Sequence, residues 1–280
     1  MNANNRFYQN FCNVKEDRKI VDRYLADYMN KEDRIREYFI AITPRSGSSW
    51  LTELLYKTRV AGNPEEWFNL DNISGILRKY QCSNIEDYIK CIKADQSTRN
   101  CVFGCEASFY QLRLVLEKIS FDSLFNSPTC VYWTRKDFLK QGISLFKAVE
   151  TGYFHSVQGS SQRQEIMYDP DKIKQWILHI LYQESHWEVF FMNKKIRPIR
   201  LCYEELVSNP SGTIQLLLSH LNILDNREDI VSIDTRHQKI SNEETDEILE
   251  KFSSDMSDFL STCRELRGST ELLRAFPQSY

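Results

Sequence analysis

Four short apolar runs recur along the chain, and segments with helical periodicity separate them. The runs are EYFIAIT (37–43), CVFGCEA (101–107), TCVYWTR (129–135) and IRPIRLCYE (196–204). Their aromatic and β-branched residues are typical of buried strands. Apolar residues at helical spacing follow in 47–58, 136–150 and 211–221. Strands that alternate with helices in this way predict an α/β fold with a mostly parallel central sheet.

Length and pattern together predict one domain that spans 1–280. Residues 1–36 are interpreted as an N-terminal helical extension, because 16–35 carries charged residues with apolar ones at helical spacing. The polar stretch 151–169 contains glycine and serine and predicts a mobile loop. Residues 242–280 predict a helical C-terminal tail whose charged residues keep it in solvent.

Composition narrows the class of protein. Charged residues make up 27% and hydrophobic residues 41%, which is typical of a globular protein. A net charge of −3 argues against a nucleic-acid partner, and no apolar run is long enough to span a membrane. The N-terminal segment lacks an apolar signal core, so we expect a cytoplasmic protein. The eight cysteines show no zinc-like spacing and are expected to be reduced thiols without a metal.

The stretch TPRSGSSW (43–50) lies in the turn between the first strand and its helix. Such a turn leaves unpaired N–H groups at the start of the helix, and they attract phosphate together with the helix dipole. Gly47 allows close approach of the backbone, Ser46, Ser48 and Ser49 add hydroxyl groups, and Arg45 adds positive charge. Serines also cap helices that bind no ligand. The motif GxxxxGK[ST] of nucleoside triphosphatases is absent, which disfavours a small-molecule kinase.

A second anion-binding element follows the third strand. Arg135 ends that strand, and Ser144 lies on the helix that comes next. The carboxyl ends of parallel strands are where α/β folds bind ligands, and an arginine there can hold phosphate oxygens. Two such elements on one sheet indicate a bound phosphate compound.

Four motifs occur in an order that resembles a known family. The motifs TPRSGSSWLTELL, AGNPEEWF, RKDFLKQGISLFKAVETG and IRLCYEEL are similar to those of the bacterial sulfotransferase family that includes the mycobacterial trehalose 2-sulfotransferase. The resemblance implies a P-loop-like three-layer sandwich, the sulfotransferase fold. It also implies an enzyme that uses 3′-phosphoadenosine-5′-phosphosulfate (PAPS), releases the bisphosphate PAP and needs no metal. Relatives are often dimers, so a homodimer is a further expectation.

The resemblance assigns roles to residues of this chain. Residues 45–50, including Trp50, would bind the 5′-phosphosulfate, and Arg45 would also stabilise the negative charge on the leaving phosphate. Arg135 and Ser144 would grip the 3′-phosphate. Near the C-terminus, Arg236 or Gln238 is a candidate nucleotide contact.

A general base must deprotonate the acceptor hydroxyl or amine. Glu66 in AGNPEEWF best matches the family's proposed base, with Glu65 and Glu53 as alternatives. His155, in the stretch 151–169, is another residue that could contact the acceptor.

Glu106 departs from the family pattern, because relatives carry a lysine in that strand. With Glu65 and Glu66 nearby, it suggests a cationic acceptor such as an amine- or guanidinium-bearing natural product. An ion pair between Glu106 and Arg113 is the structural alternative. A sugar acceptor such as trehalose, and an inactive nucleotide-binding protein of the same fold, are the alternative functions.

Overall fold

The computed structural model describes residues 3–152, 166–223 and 243–272. Its strands are β1 (Arg36–Ile42), β2 (Val102–Ser108), β3 (Thr129–Thr134) and β4 (Ile199–Cys202). They form one parallel sheet in the order β2-β1-β3-β4. The four predicted strands and the α/β class are therefore confirmed. β4 begins later than predicted, just after Pro198, which has no N–H to donate to a sheet.

Helices fill the connections between the strands. The described helices are α1 (Ala3–Cys12), α2 (Arg18–Met29), α3 (Ser48–Lys57), α4 (Ile73–Tyr80), α5 (Ile85–Gln96), α6 (Phe109–Leu116), α7 (Phe121–Leu124), α8 (Phe138–Thr151), α9 (Pro170–Lys194), α10 (Tyr203–Ser208), α11 (Pro210–His220), α12 (Glu243–Asp255) and α13 (Ser257–Leu272). None of these described helices is long and apolar enough to cross a membrane.

Both faces of the sheet are covered, which gives three layers. Along β1, Phe39 and Ala41 join one apolar cluster with α1, α4, α5 and α9. Tyr38, Ile40 and Ile42 join the opposite cluster, with α3 and α11. Side chains of a strand alternate between faces, so burial on both sides requires the continuous apolar run seen in the sequence. The cysteines of β3 and β4, Cys130 and Cys202, are buried free thiols.

Strand order defines the place where a ligand can bind. The chain runs from β1 to β2 on one side, then crosses to β3 on the other side of β1. Loops that leave β1 and β3 therefore diverge above their carboxyl ends and open a crevice between them. The serine-rich turn and Arg135 lie at these two strand ends.

The terminal segments pack more closely than the sequence indicated. On α1, Phe7 and Phe11 are buried in the main core, and the Tyr8 hydroxyl donates a hydrogen bond to the Val115 carbonyl at 2.7 Å. The expectation of a solvated tail is wrong for α12 and α13, because Phe252 and Leu260 are buried with α8 and α9 residues in a third apolar cluster.

A buried ion pair joins β1 to α5. The Lys93 Nζ lies 2.8 Å from the Glu37 Oε1, and both side chains are at most 5% exposed. Each partner also bonds to the backbone after α7: Lys93 donates to the Leu124 carbonyl at 2.6 Å, and Glu37 accepts from the Asn126 N–H at 2.9 Å. The charges are thus paired and hydrogen-bonded, as burial requires.

Candidate active site

The turn after β1 has the backbone geometry of an anion-binding loop. Arg45 and Gly47 both have positive φ, 62° and 82°, and α3 begins at Ser48. A non-glycine residue in this region is strained, and such strain is often found at functional sites. No described side chain caps the start of α3, so its first N–H groups face the crevice.

Neighbouring elements hold this turn in place through contacts that the motifs did not reveal. Trp133 on β3 donates its Nε1–H to the Ser46 carbonyl at 3.1 Å. Gln141 on α8 donates from Nε2 to the Thr43 hydroxyl and the Pro44 carbonyl, both at 2.8 Å. Both side chains are fully buried, so the loop is fixed before any ligand arrives.

Several donors around the turn have no partner within the described part of the chain. They are the Ser46 hydroxyl, the Trp50 Nε1 and the Arg135 Nε, and all three atoms are buried. An unsatisfied buried donor costs about 1–3 kcal/mol, so native proteins keep few of them without a reason. Donors of this kind in the turn after β1, in α3 and after β3 suit the oxygens of a phosphate or sulfate ester.

Arg45, Arg135 and Ser144 converge at the crevice. The Arg45 Nε donates to the Ser144 hydroxyl at 3.1 Å, and the Arg135 Nη1 lies 3.4 Å from the Arg45 carbonyl. The pKa of Arg45 is lowered, first by burial and then by the positive charge of Arg135. Two neighbouring cations repel each other, and an anion between them removes that cost. The predicted convergence is present, although Ser144 contacts Arg45 instead of Arg135.

Arg135 is supported by residues that the sequence did not single out. Its guanidinium lies over the Tyr203 ring at 5.0 Å from the centroid. Arg267 on α13 donates hydrogen bonds to the Arg135 carbonyl at 2.6 Å and to the Lys136 carbonyl at 2.5 Å. The same guanidinium pairs with the buried Glu184 through two hydrogen bonds of 2.8 and 2.9 Å. The helix α13 therefore fixes the backbone at Arg135 and Lys136.

Tyr203 also contacts the serine-rich turn. A Cβ at position 47 would lie 2.4 Å from the Tyr203 Cδ2, and the Trp50 ring packs edge-on against the same tyrosine at 6.2 Å. Glycine at 47 is thus required by its φ and by the tyrosine ring.

Two of the predicted carboxylates lie at the outer edge of β2. Residue Glu65 forms a parallel bridge with Cys105, which places Glu66 beside the start of α6. The Glu66 Oε2 accepts a hydrogen bond from Asn69 Nδ2 at 2.7 Å and another from Gln111 Nε2. Gln111 is itself fixed by a capping box with Ser108. The other Glu66 oxygen, Oε1, accepts no bond from a described residue, so it is available to a ligand.

The third carboxyl, Glu106, is 3% exposed and points towards the start of α3, where the Ser48 hydroxyl hydrogen bonds to it. The alternative ion pair with Arg113 is not formed, and no other described cation pairs with Glu106. Burial, followed by the charges of Glu66 and Glu65, raises the pKa of Glu106 well above its ordinary value. Its Oε2 is buried without a partner in the described chain. Burial without a cation therefore favours the protonated form of this carboxyl.

Glu65 lies at the mouth of the cleft, where its side chain reaches solvent. Surrounding protein nevertheless desolvates the carboxyl, and this effect and the charge of Glu66 raise the pKa of Glu65. Glu53, the other alternative base, has a largely buried side chain and forms an i,i+4 ion pair with Lys57 at 2.8 Å.

The family follows from comparison of this chain with known proteins. A model of the Stf0 sulphotransferase family matches residues 37–255, a range that runs from β1 past β4 and includes the turn after β1, Glu66, Glu106, Arg135 and Tyr203. The chain belongs to the Stf0 sulfotransferase family. It is therefore a sulfotransferase, and the resemblance found in its motifs is confirmed.

Two relatives carry the same description. Trehalose 2-sulfotransferase of Mycobacterium tuberculosis (strain ATCC 35801 / TMC 107 / Erdman) is 23% identical over 222 residues, which cover 66% of this chain and 83% of the relative. Trehalose 2-sulfotransferase of Mycolicibacterium smegmatis (strain ATCC 700084 / mc(2)155) is 24% identical over 230 residues, with 68% and 85% covered.

Some sequence-predicted sulfotransferase residues fall outside the described part of the chain. They are His155, most of the stretch 151–169, and the candidate nucleotide contacts Arg236 and Gln238. Their roles stay predictions.

Proposed function

We propose that this sulfotransferase moves a sulfuryl group from PAPS to a hydroxyl group of a sugar. The observation that carries the proposal is the crevice between β1 and β3, where Arg45 and Arg135 meet beside buried donors without partners. The carboxylate of Glu66, which accepts hydrogen bonds from the side-chain amides of Asn69 and Gln111, lies on the β2 side of the same sheet edge.

The donor would be held by the turn after β1. The start of α3, the Ser46 hydroxyl and Arg45 suit the 5′-phosphosulfate, and Arg135 with Ser144 suits the 3′-phosphate. When bound, the nucleotide supplies the sulfuryl group. As the bond between sulfur and the bridging oxygen breaks, its electron pair stays on that oxygen, which leaves as part of the 5′-phosphate. Preorganised donors around the turn would stabilise that charge.

Glu66 would act as the general base. Its Oε2 is occupied by Asn69 and Gln111, which orients Oε1 for the acceptor hydroxyl. The hydroxyl proton moves to Oε1 as the acceptor oxygen forms its bond to sulfur. General bases of this kind typically contribute about 10²- to 10⁴-fold in rate.

A sugar acceptor fits the cleft better than a cationic natural product. The cationic expectation depended on a negative charge at Glu106 beside Glu65 and Glu66, and burial, which raises the pKa of the Glu106 carboxyl, disfavours that charge. Neutral carboxyl and amide groups instead offer hydrogen bonds to hydroxyl groups. Both relatives are trehalose 2-sulfotransferases, which supports the same choice.

Nucleotide binding provides the first test of this function. PAP should bind and raise the melting temperature of the protein, because a ligand at 100 times its Kd stabilises the folded state by about 2.7 kcal/mol. ATP should bind much less tightly than PAP. Arg45→Ala and Arg135→Ala should each weaken PAP binding roughly tenfold or more, since a charge-assisted hydrogen bond contributes about 1.5–3 kcal/mol. Arg23→Ala, which removes an exposed arginine of α2, is the matched control.

Product analysis provides the second test. Incubation with PAPS and trehalose should give a product heavier by one SO₃ group, and a cationic acceptor in the same mixture should compete poorly. Tight PAP binding without transfer to any sugar or amine would support the inactive nucleotide-binding alternative instead.

A further inference from the structure

Glu106 lies between two parts of the active site, the turn after β1 and the loop that carries Glu65 and Glu66. On β2 it lies opposite Ile40 of β1, and its carboxyl contacts Ser48, the first residue of α3. Its backbone N–H donates to the Glu65 carbonyl at 3.1 Å. The side chain thus lies between the anion-binding turn and the loop that carries Glu65 and Glu66.

The surroundings of this carboxyl contain no positive charge among the described residues. Glu66 and Glu65 face it from the loop after α3, and Ser48 is the contact from α3. Tyr38 on β1 and Cys105 on β2 are fully buried, and their pKa values are raised well above the ordinary range, mainly by burial and also by Glu106. Both groups are therefore neutral, and burial without a cation favours the protonated form of Glu106 as well.

We propose that Glu106 is a proton-dependent determinant of donor binding: its carboxylic acid donates a hydrogen bond to the anionic nucleotide through the buried Oε2 that lacks a partner, and its carboxylate repels that nucleotide. This inference rests on the proposed function, because it assigns the nucleotide to the start of α3.

The sign of the pH dependence follows from the geometry. Below its pKa, Glu106 is neutral and can donate to an oxygen held at the start of α3. Above its pKa, a carboxylate faces the same oxygen in a buried site where charge repulsion is strong. For one linked proton, the Kd of the nucleotide then rises about tenfold for each pH unit.

Three proteins test the proposal through the Kd of PAP, measured by calorimetry between about pH 5 and pH 9. The wild type should lose affinity more steeply with rising pH than Glu106→Gln, which keeps a neutral donor of similar size. Glu106→Met removes donor and charge together, so its binding should be weak at low pH and as insensitive to pH as that of the glutamine variant. Titration of the nucleotide phosphates is common to all three proteins and cancels in the comparison.

Parallel pH profiles of the wild type and Glu106→Gln would overturn the proposal. If Glu106→Gln does not fold, the wild type and Glu106→Met carry the same comparison of slopes. Absence of PAP binding in the folded wild type at every pH would overturn the proposed function, and this inference with it. Tight PAP binding with equal slopes would overturn the inference alone.

Discussion

At the scale of single residues, the sequence predicts the charged groups of the site better than their surroundings. Arg45 and Arg135 could be proposed because each follows a recognisable strand at its carboxyl end, whereas Ser144, which lies within α8, was proposed from the family resemblance. The contact of Trp133 with the Ser46 carbonyl depends on how β3 packs beside β1, and local sequence does not contain that information. The raised pKa of Glu106 likewise depends on burial by distant segments.

Glu66→Gln tests the proposed base. The amide preserves size and can still bond with its neighbours, but it cannot accept the hydroxyl proton. Turnover should therefore fall about 10²-fold or more, while the Kd of PAP stays nearly unchanged. Glu65→Gln is the matched control, since its side chain lies at the solvent-exposed mouth of the cleft. If Glu65→Gln lowered turnover equally, Glu65 would have to be considered as the general base instead.

At the scale of elements, the strands were predictable because burial on both faces demands continuous apolar runs. The helices α4, α5 and α6 were not predicted, and their short segments depend on local caps, such as Ser108 with Gln111, and on packing. The tail was misjudged because its few apolar residues are scattered among charges. Those residues are the ones that pack on α8 and α9.

Arg267→Ala tests the support that α13 gives to Arg135. Loss of the hydrogen bonds to the Arg135 and Lys136 carbonyls should let this turn move and weaken PAP binding. Indirect effects of this kind amount to about 0.5–2 kcal/mol, or roughly two- to thirtyfold in Kd. Arg264→Ala removes an exposed arginine of the same helix and should leave the Kd unchanged. Equal Kd values for both variants would show that α13 does not support the site.

At the scale of the whole molecule, β1 belongs to both apolar clusters, so the layers on its two sides depend on each other. The pattern of strands and helices was sufficient to predict the α/β class and the parallel sheet, and the resemblance implied the three layers. One domain over 1–280 and a homodimer stay predictions.

Lys93→Met tests how strongly the buried ion pair stabilises the fold. Removing the lysine leaves the Glu37 carboxylate buried without its cation, so the free energy of unfolding should fall by about 3–5 kcal/mol in denaturant titrations. The double variant Glu37→Gln with Lys93→Met should recover part of that loss. Lys90→Met, on the exposed side of α5, should change it by less than about 0.5 kcal/mol. A small effect at Lys93 would mean that water reaches the pair.

Tyr203 occupies the space where a side chain at position 47 would lie, and its ring also carries Arg135 and Trp50. Residues 47 and 203 are far apart in the chain, yet position 47 cannot gain a side chain while Tyr203 keeps its place. During divergence of this family, chains that retain an aromatic residue after β4 should therefore also retain glycine in the turn after β1.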